Sequence, residues 1–202
     1  MNKTIVLASN NAGKIKEFNV LLADMGWQVK PQSEFAVSEA DETGLSFIEN
    51  AILKARHACA STGLPALADD SGIEVDYLNG APGIYSARFA GHHGDNDANN
   101  RLLLEKMQGV PELERTARFH CVLAYLRHKD DATPLIFHGV WEGRILDTLE
   151  GAEGFGYDPV FYVPECGCSA ASLPKEIKNQ ISHRAKALKQ LAETFAQANL
   201  TL

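Results

Sequence analysis

The stretch Thr4-Ile5-Val6-Leu7-Ala8-Ser9-Asn10-Asn11-Ala12-Gly13-Lys14 decides the fold. Its apolar, β-branched first half predicts a buried strand, and Ser9-Asn10-Asn11 breaks that strand into a tight polar turn. Ile15, Phe18, Leu21, Leu22 and Met25 then recur at helical spacing, so a helix starts near Ala12 with Lys14 in its first turn. Helix N-termini expose unpaired N–H groups and the positive end of the dipole. A lysine sits poorly there unless an anion lies between its ammonium and those N–H groups. The segment therefore reads as a phosphate cradle or as a plain βα turn. The Walker pattern G-x-x-x-x-G-K-[ST] is absent, because Gly13 stands alone and Ile15 follows the lysine.

A chain of 202 residues with 45% hydrophobic and 22% charged content predicts one globular domain over 1–202. The formal charge of −7 argues against a nucleic-acid binder, which needs a basic face. No apolar run approaches a membrane span, and the Ile5–Ala8 run is too short for a signal peptide. The expectation is a cytoplasmic protein with neither nucleic acid nor membrane as partner. Cys59 and Cys121 fall in apolar segments as small hydrophobes, and Cys166-Gly167-Cys168 lacks the spacing of a zinc or thioredoxin site.

Outward from the first helix, Ser46-Phe47-Ile48-Glu49 fits a capping box, and Gly63 with Pro65 ends the helix it opens. Leu67-Ala68 reads as the end of a short strand leading into Asp69-Asp70-Ser71-Gly72, with a second strand alternating through Ile73, Val75 and Tyr77. Asn79-Gly80 marks a turn, and a helix is expected from about Asp97 to Met107. Ala117–Leu126 is apolar on both faces and so central, with Leu135–Ile145 as its hairpin-like partner. A strand over Val160–Val163 follows, and Ser182 caps a last helix bearing Leu188, Leu191, Ala192 and Phe195. Strands and helices intermix, which predicts α/β with a mixed sheet.

Adjacent aspartates on a strand point to opposite faces, so one of Asp69 and Asp70 faces a cleft while the other braces a loop. Read as turn residues, both are solvated caps. Glu42 offers a second loop carboxylate, and Lys54 lies on the polar side of its helix with Asn50. Carboxylates beside lysines suit a hard cation whose shell is completed by phosphate oxygens. Gly154-Phe155-Gly156-Tyr157-Asp158-Pro159 flanks an aromatic with glycines, leaving a ring face for stacking or closing a core turn. His183 and Arg184 stand at a helix start, against the dipole. His92-His93 reads as a solvated loop.

Taken in order, Ser9 to Lys14, Glu42-Thr43-Gly44 through Phe47–Ala51 to Lys54-Ala55, Ala68–Gly72, Gly80–Arg88, Gly154–Pro159 and Ile181–Arg184 span nearly the whole chain. Together they resemble the inosine triphosphate pyrophosphatase family. The resemblance implies an elongated α/β fold, two lobes around a mixed sheet and a central substrate groove, assembled as a homodimer. It implies hydrolysis of ITP, dITP and XTP to the monophosphate and pyrophosphate. Ser9, Asn10, Asn11, Ala12, Gly13 and Lys14 would then hold phosphates. Asp70 would be the catalytic carboxylate and, with Glu42, a Mg²⁺ ligand, while Lys54 assists at the phosphates and Ser71 touches substrate. Phe155, Gly156, Tyr157, Asp158, Lys178, His183 and Arg184 would form the base and sugar pocket. Cys166-Gly167-Cys168 and Pro174-Lys175 depart from the family pattern, leaving Lys175 as a competitor for the role of Lys178. A non-catalytic nucleotide-binding module, and a phosphotransferase or pyrimidine nucleotide pyrophosphatase of similar fold, are the other classes open to this sequence.

Overall fold

Ile5, Val6 and Leu7 have no exposed surface, and the strand they form, β1 (Lys3–Leu7), pairs in parallel on both edges. The structure, a computed structural model, describes residues 3–23 and 27–197. After the Ser9–Asn11 turn comes α1 (Ala12–Ala23), which buries Phe18 and Leu22. Met25, assigned to the same stripe, lies outside the described residues. β2 (Trp27–Pro31) returns alongside β1.

α2 (Phe47–Thr62) starts as its capping box requires: Ser46 Oγ accepts the Glu49 N–H at 3.2 Å. Glu49 reaches back one residue further than the usual box, accepting the Leu45 N–H at 2.9 Å. Gly63 closes the helix in the left-handed conformation at φ 69°. Asn50 is fully buried rather than on a polar side, and its Oδ1 accepts the Gly44 N–H at 2.8 Å.

β3 (Ala66–Val75) departs from the expected pattern. The expected short strand, polar turn and second strand are a single strand of ten residues, with Asp69-Asp70-Ser71-Gly72 inside it. Ladder pairing overrides the turn chemistry of Asp, Ser and Gly. Tyr77 falls beyond the strand in a short 3₁₀ turn. α3 (Asn96–Lys106), β4 (Thr116–Leu126) and β5 (Leu135–Ile145) lie where the pattern placed them, followed by β6 (Phe161–Val163) and β7 (Cys168–Ser169). A short helix that the periodicity did not reveal, α4 (Lys175–Ile181), precedes α5 (His183–Gln197). Ser182 joins them, and its Oγ accepts the Ala185 N–H at 3.3 Å.

The sheet has seven strands in the order β2-β1-β3-β4-β5-β6-β7, with β4 in the middle. The pairs of β1 are parallel, those of β6 antiparallel, so the fold is α/β with a mixed sheet. Among the described residues no helix is long and apolar enough to cross a membrane.

The chain forms two compact units. Unit one comprises residues 1–70, 121–139 and 186–202, and unit two residues 71–120 and 140–185. Each has its own core. In unit one Ile5, Leu7 and Leu67 pack with Leu123, Tyr125 and the Leu188/Leu191 face of α5. In unit two Ile73, Leu103 and Met107 pack with Phe119, Trp141 and Phe161.

Candidate active site

In unit one the charged side chains gather where β3 meets the helices. Asn11 accepts the Lys14 N–H on Oδ1 at 3.2 Å, so it caps α1, and Ser9 Oγ accepts the Asn11 N–H at 3.1 Å. Asn10 Nδ2 donates to Glu39 at 3.5 Å, and Ala12 and Gly13 open the helix. The anion that the Lys14 ammonium needed is supplied by the chain itself. Lys14 Nζ is ion-paired with Asp69 Oδ1, whose side chain is fully buried.

Asp70 turns to the second lysine. Lys54 Nζ donates to Asp70 Oδ1 at 2.6 Å, to Glu42 Oε1 at 2.8 Å and to the Asp69 carbonyl at 2.9 Å. These bonds use all the donors of an ammonium. Gly44 lets the Glu42 loop lie against α2: a Cβ on it would sit 2.6 Å from Glu49 Cβ and 2.7 Å from Asn50 Oδ1. Ser71, the next residue of β3, is half-buried.

Burial pushes the Asp70 carboxyl above the usual carboxylate range; Lys54 opposes that shift, and Glu42 and Asp69 reinforce it. Burial disfavours the Lys54 ammonium, yet Asp70 and Glu42 outweigh it and hold the group above the ordinary lysine value. Three carboxylates, Glu42, Asp69 and Asp70, are ion-paired with two ammonium groups, Lys14 and Lys54. Hard carboxylate oxygens suit Mg²⁺, which is commonly held by one or two carboxylates with phosphates completing its shell. Among the described residues no three His, Cys, Asp or Glu side chains form a metal cluster; Glu42 and Asp70, which share the Lys54 ammonium, are the carboxylates that could hold a divalent ion.

Unit two holds a different assembly. Gly154 at φ 80° and Gly156 at φ 63° flank Phe155, whose side of the loop stays open at 47% exposure. Asp158 Oδ2 accepts the Phe155 N–H at 2.8 Å and pairs with Lys178 Nζ. The Lys178 ammonium lies 5.1 Å and the Arg184 guanidinium 5.8 Å from the Phe155 centroid, both within cation–π range. The His183 ring is stacked on Phe119 at 4.7 Å and 11°, and lies 6.3 Å from Trp141 at 20°. Lys175 is exposed in the first turn of α4, whereas Lys178 enters this cluster.

The aromatic loop divides by role. Phe155 faces outward, but Tyr157 is buried with its hydroxyl donating to the Ser86 carbonyl at 2.8 Å, and burial pushes its phenol up. The Gly156 carbonyl accepts from Asn100 Nδ2 at 2.8 Å. Tyr157 and Asp158 therefore hold the loop that presents Phe155. Sequence reading missed Asp69 as the partner of Lys14, Asn50 as the clamp on Gly44, and the Phe119–Trp141 surface behind His183. The apolar run of β4 marked it as a central strand, and nothing in it pointed to a histidine.

A model of the Ham1 family matches residues 5–194. The dITP/XTP pyrophosphatase of Vibrio parahaemolyticus is 60% identical over 195 residues, covering 96% of each chain. A solved Ham1 protein from Coxiella burnetii is 48% identical and superposes with a TM-score of 0.93 over 97% of this chain and 100% of that one. A nucleoside-triphosphatase, or dITP/XTP pyrophosphatase, from Mycobacterium abscessus is 38% identical with a TM-score of 0.78, covering 93% and 97%.

Proposed function

The chain belongs to the Ham1 family, and on that premise we propose that it hydrolyses the deaminated purine nucleotides ITP, dITP and XTP to monophosphate and pyrophosphate, cleansing the nucleotide pool. The observation that carries the reading is the convergence of Glu42 and Asp70 on one lysine, beside a second lysine at a helix N-terminus. That combination is suited to a cation with its triphosphate and has no use in a plain βα turn.

Glu42 and Asp70 would hold Mg²⁺. When bound, the ion supplies Lewis-acid neutralisation of the phosphate oxygens. Asp70 is the general base: its Oδ2 takes a proton from water, the water oxygen bonds to phosphorus, and the α–β anhydride bond breaks with pyrophosphate leaving. Ser9 to Lys14 bind the phosphates, with Lys14 the charged contact, Lys54 assists, and Ser71 touches substrate. Lys54 has to release one of its present bonds to meet a phosphate, because its donors are all in use.

Phe155 stacks on the base, and Lys178, His183 and Arg184 give the hydrogen-bond donors that a 6-carbonyl accepts. The 6-amino group of adenine would face donors instead. A single catalytic domain over residues 1–202 is part of the same reading, with each compact unit assembled from separated segments of the chain. The homodimer, the cytoplasmic setting and the absence of nucleic-acid and membrane partners belong to the same reading. Light scattering tests the dimer. A panel of ITP, XTP, GTP, ATP and CTP, with pyrophosphate and orthophosphate assayed separately, tests the reaction. Pyrophosphate from ITP and XTP far above ATP is expected; orthophosphate alone, or equal turnover of ATP, overturns it.

A further inference from the structure

Asp69 and Asp70 are neighbours in β3, yet only Asp70 has exposed side-chain surface, at 11% against 0%. A carboxylate without accessible surface does not touch substrate. It is nevertheless fully engaged: Oδ1 pairs with Lys14 Nζ, and Oδ2 accepts the Cys121 thiol at 3.2 Å. Cys121 stands in β4 and is itself completely buried. The arrangement is a row from Cys121 Sγ through the Asp69 carboxylate to Lys14 Nζ.

Lys14 needs such support. Its stem carries four rotatable bonds, and its place in the first turn of α1 sets the ammonium against the positive end of the helix. A buried carboxylate of fixed direction removes the conflict and holds the ammonium in one position. One donor of Nζ is used on Asp69, which leaves others for a phosphate.

We propose that Asp69, braced by the Cys121 thiol, is a positioning residue for hydrolysis: it places Lys14 Nζ and, through it, the triphosphate. This rests on the reading of Lys14 as a phosphate contact. The thiol fixes the rotamer of Asp69, Asp69 fixes Lys14, and the effect reaches substrate only through the lysine.

A double-mutant cycle tests that last clause. Steady-state ITP hydrolysis is measured for wild type, Lys14→Ala, Asp69→Asn and the double variant, with calorimetric binding of inorganic pyrophosphate as a readout independent of turnover. Asp69→Asn is expected to lower kcat/KM by roughly 10- to 100-fold and to weaken pyrophosphate binding, the range for losing a charged hydrogen-bond partner. In the Lys14→Ala background the same substitution is expected to change kcat/KM by less than about 2-fold. Additive losses overturn the proposal, because Asp69 then acts by another route. An unchanged kcat/KM in Asp69→Asn reduces it to a structural residue. A silent Lys14→Ala overturns the phosphate reading and this one together, which distinguishes the two failures. If Asp69→Asn does not fold, Cys121→Ala carries the test. A rise in KM of about 3- to 10-fold is expected, restored by Cys121→Ser and absent in the Lys14→Ala background. No change in KM overturns the proposal.

Discussion

The charged cluster of unit one and the aromatic cluster of unit two differ in what keeps them in place. In unit one Lys14 and Lys54 are tied to Asp69, Asp70 and Glu42, and the backbone of β3 carries both aspartates. Remove one charge and its partner is left buried and unbalanced. In unit two His183 lies flat on Phe119, and Phe155 is bracketed by glycines and held by Asp158. There ring contact and loop geometry carry most of the constraint, joined by the ion pair between Asp158 and Lys178. The difference sets up a test of the proposed function: on that reading, charge changes in the first region act on rate, and changes of shape or donor placement in the second act on selectivity.

The sharpest way to break that division is Asp70→Asn. Asn keeps the shape and loses both the negative charge and the basic oxygen. ITP turnover is expected to fall by roughly 10⁴-fold with the circular dichroism spectrum unchanged, the scale of losing a general base together with a cation ligand. Preference for ITP over ATP in residual binding should persist, because unit two is untouched. Residual turnover near wild type sinks the assignment of Asp70.

Lys178→Ala addresses the other side. Wild type is expected to favour ITP over ATP by roughly 10³-fold or more in kcat/KM, as sites built on one hydrogen-bonding pattern do. Lys178→Ala should narrow that ratio by about 10- to 100-fold while maximal turnover of ITP changes less. A ratio that stays put while kcat collapses would place the lysine with the phosphates and blur the comparison.

Charge in unit one also holds loops, and this predicts an acid-sensitive component of stability. Hydrogen bonds from Arg127 keep the Asp131 carboxyl well below the usual carboxylate range, against the upward push of burial. The carboxylate also accepts the Arg127 and Thr133 N–H groups, each at 3.0 Å. Because the folded value is depressed, the stabilisation is complete above the unfolded value of about 4 and is lost as pH falls through the folded one. Asp131→Asn is expected to lower Tm by roughly 2–6 °C at pH 7 and by less at about pH 2, where the unfolded chain is already protonated at this position and part of the stabilisation is gone. An equal deficit at both pH values would show that charge is not the cause.

The smallest effect concerns thiols. Burial pushes the Cys59 thiol up to about 11, and Cys121 is sealed in β4, whereas Cys166 is exposed in unit two. A disulfide reagent at pH 7.5 should modify Cys166 rapidly and reach Cys59 and Cys121 only after denaturation. Rapid native labelling of Cys59 would mean that the core of unit one opens.

Element by element, the chain announced itself where physical signals are local. Strand β1 and the turn after it, the capped start of α2, the central place of β4 and the left-handed close at Gly63 all follow from patterning within a few residues. Glu42, Lys54, Phe155 and the Asp69-Asp70 pair stood out because their residue types and neighbours suggested chemistry, and only the family resemblance singled out Asp70 of the pair. What spacing did not reveal depended on pairing. Asp69-Asp70-Ser71-Gly72 carries turn chemistry, and only pairing in the sheet keeps it extended. Lys14 asked for an anion, but its identity as Asp69, 55 residues away, comes from β3 lying beside β1. Likewise the ring behind His183 is Phe119, 64 positions earlier in the numbering, a contact that no periodicity encodes. Local sequence sets conformations through short-range sterics and hydrogen bonds. Which buried charge or ring meets which partner is settled when the strands pair, because desolvation then rewards only the arrangements that leave each group matched.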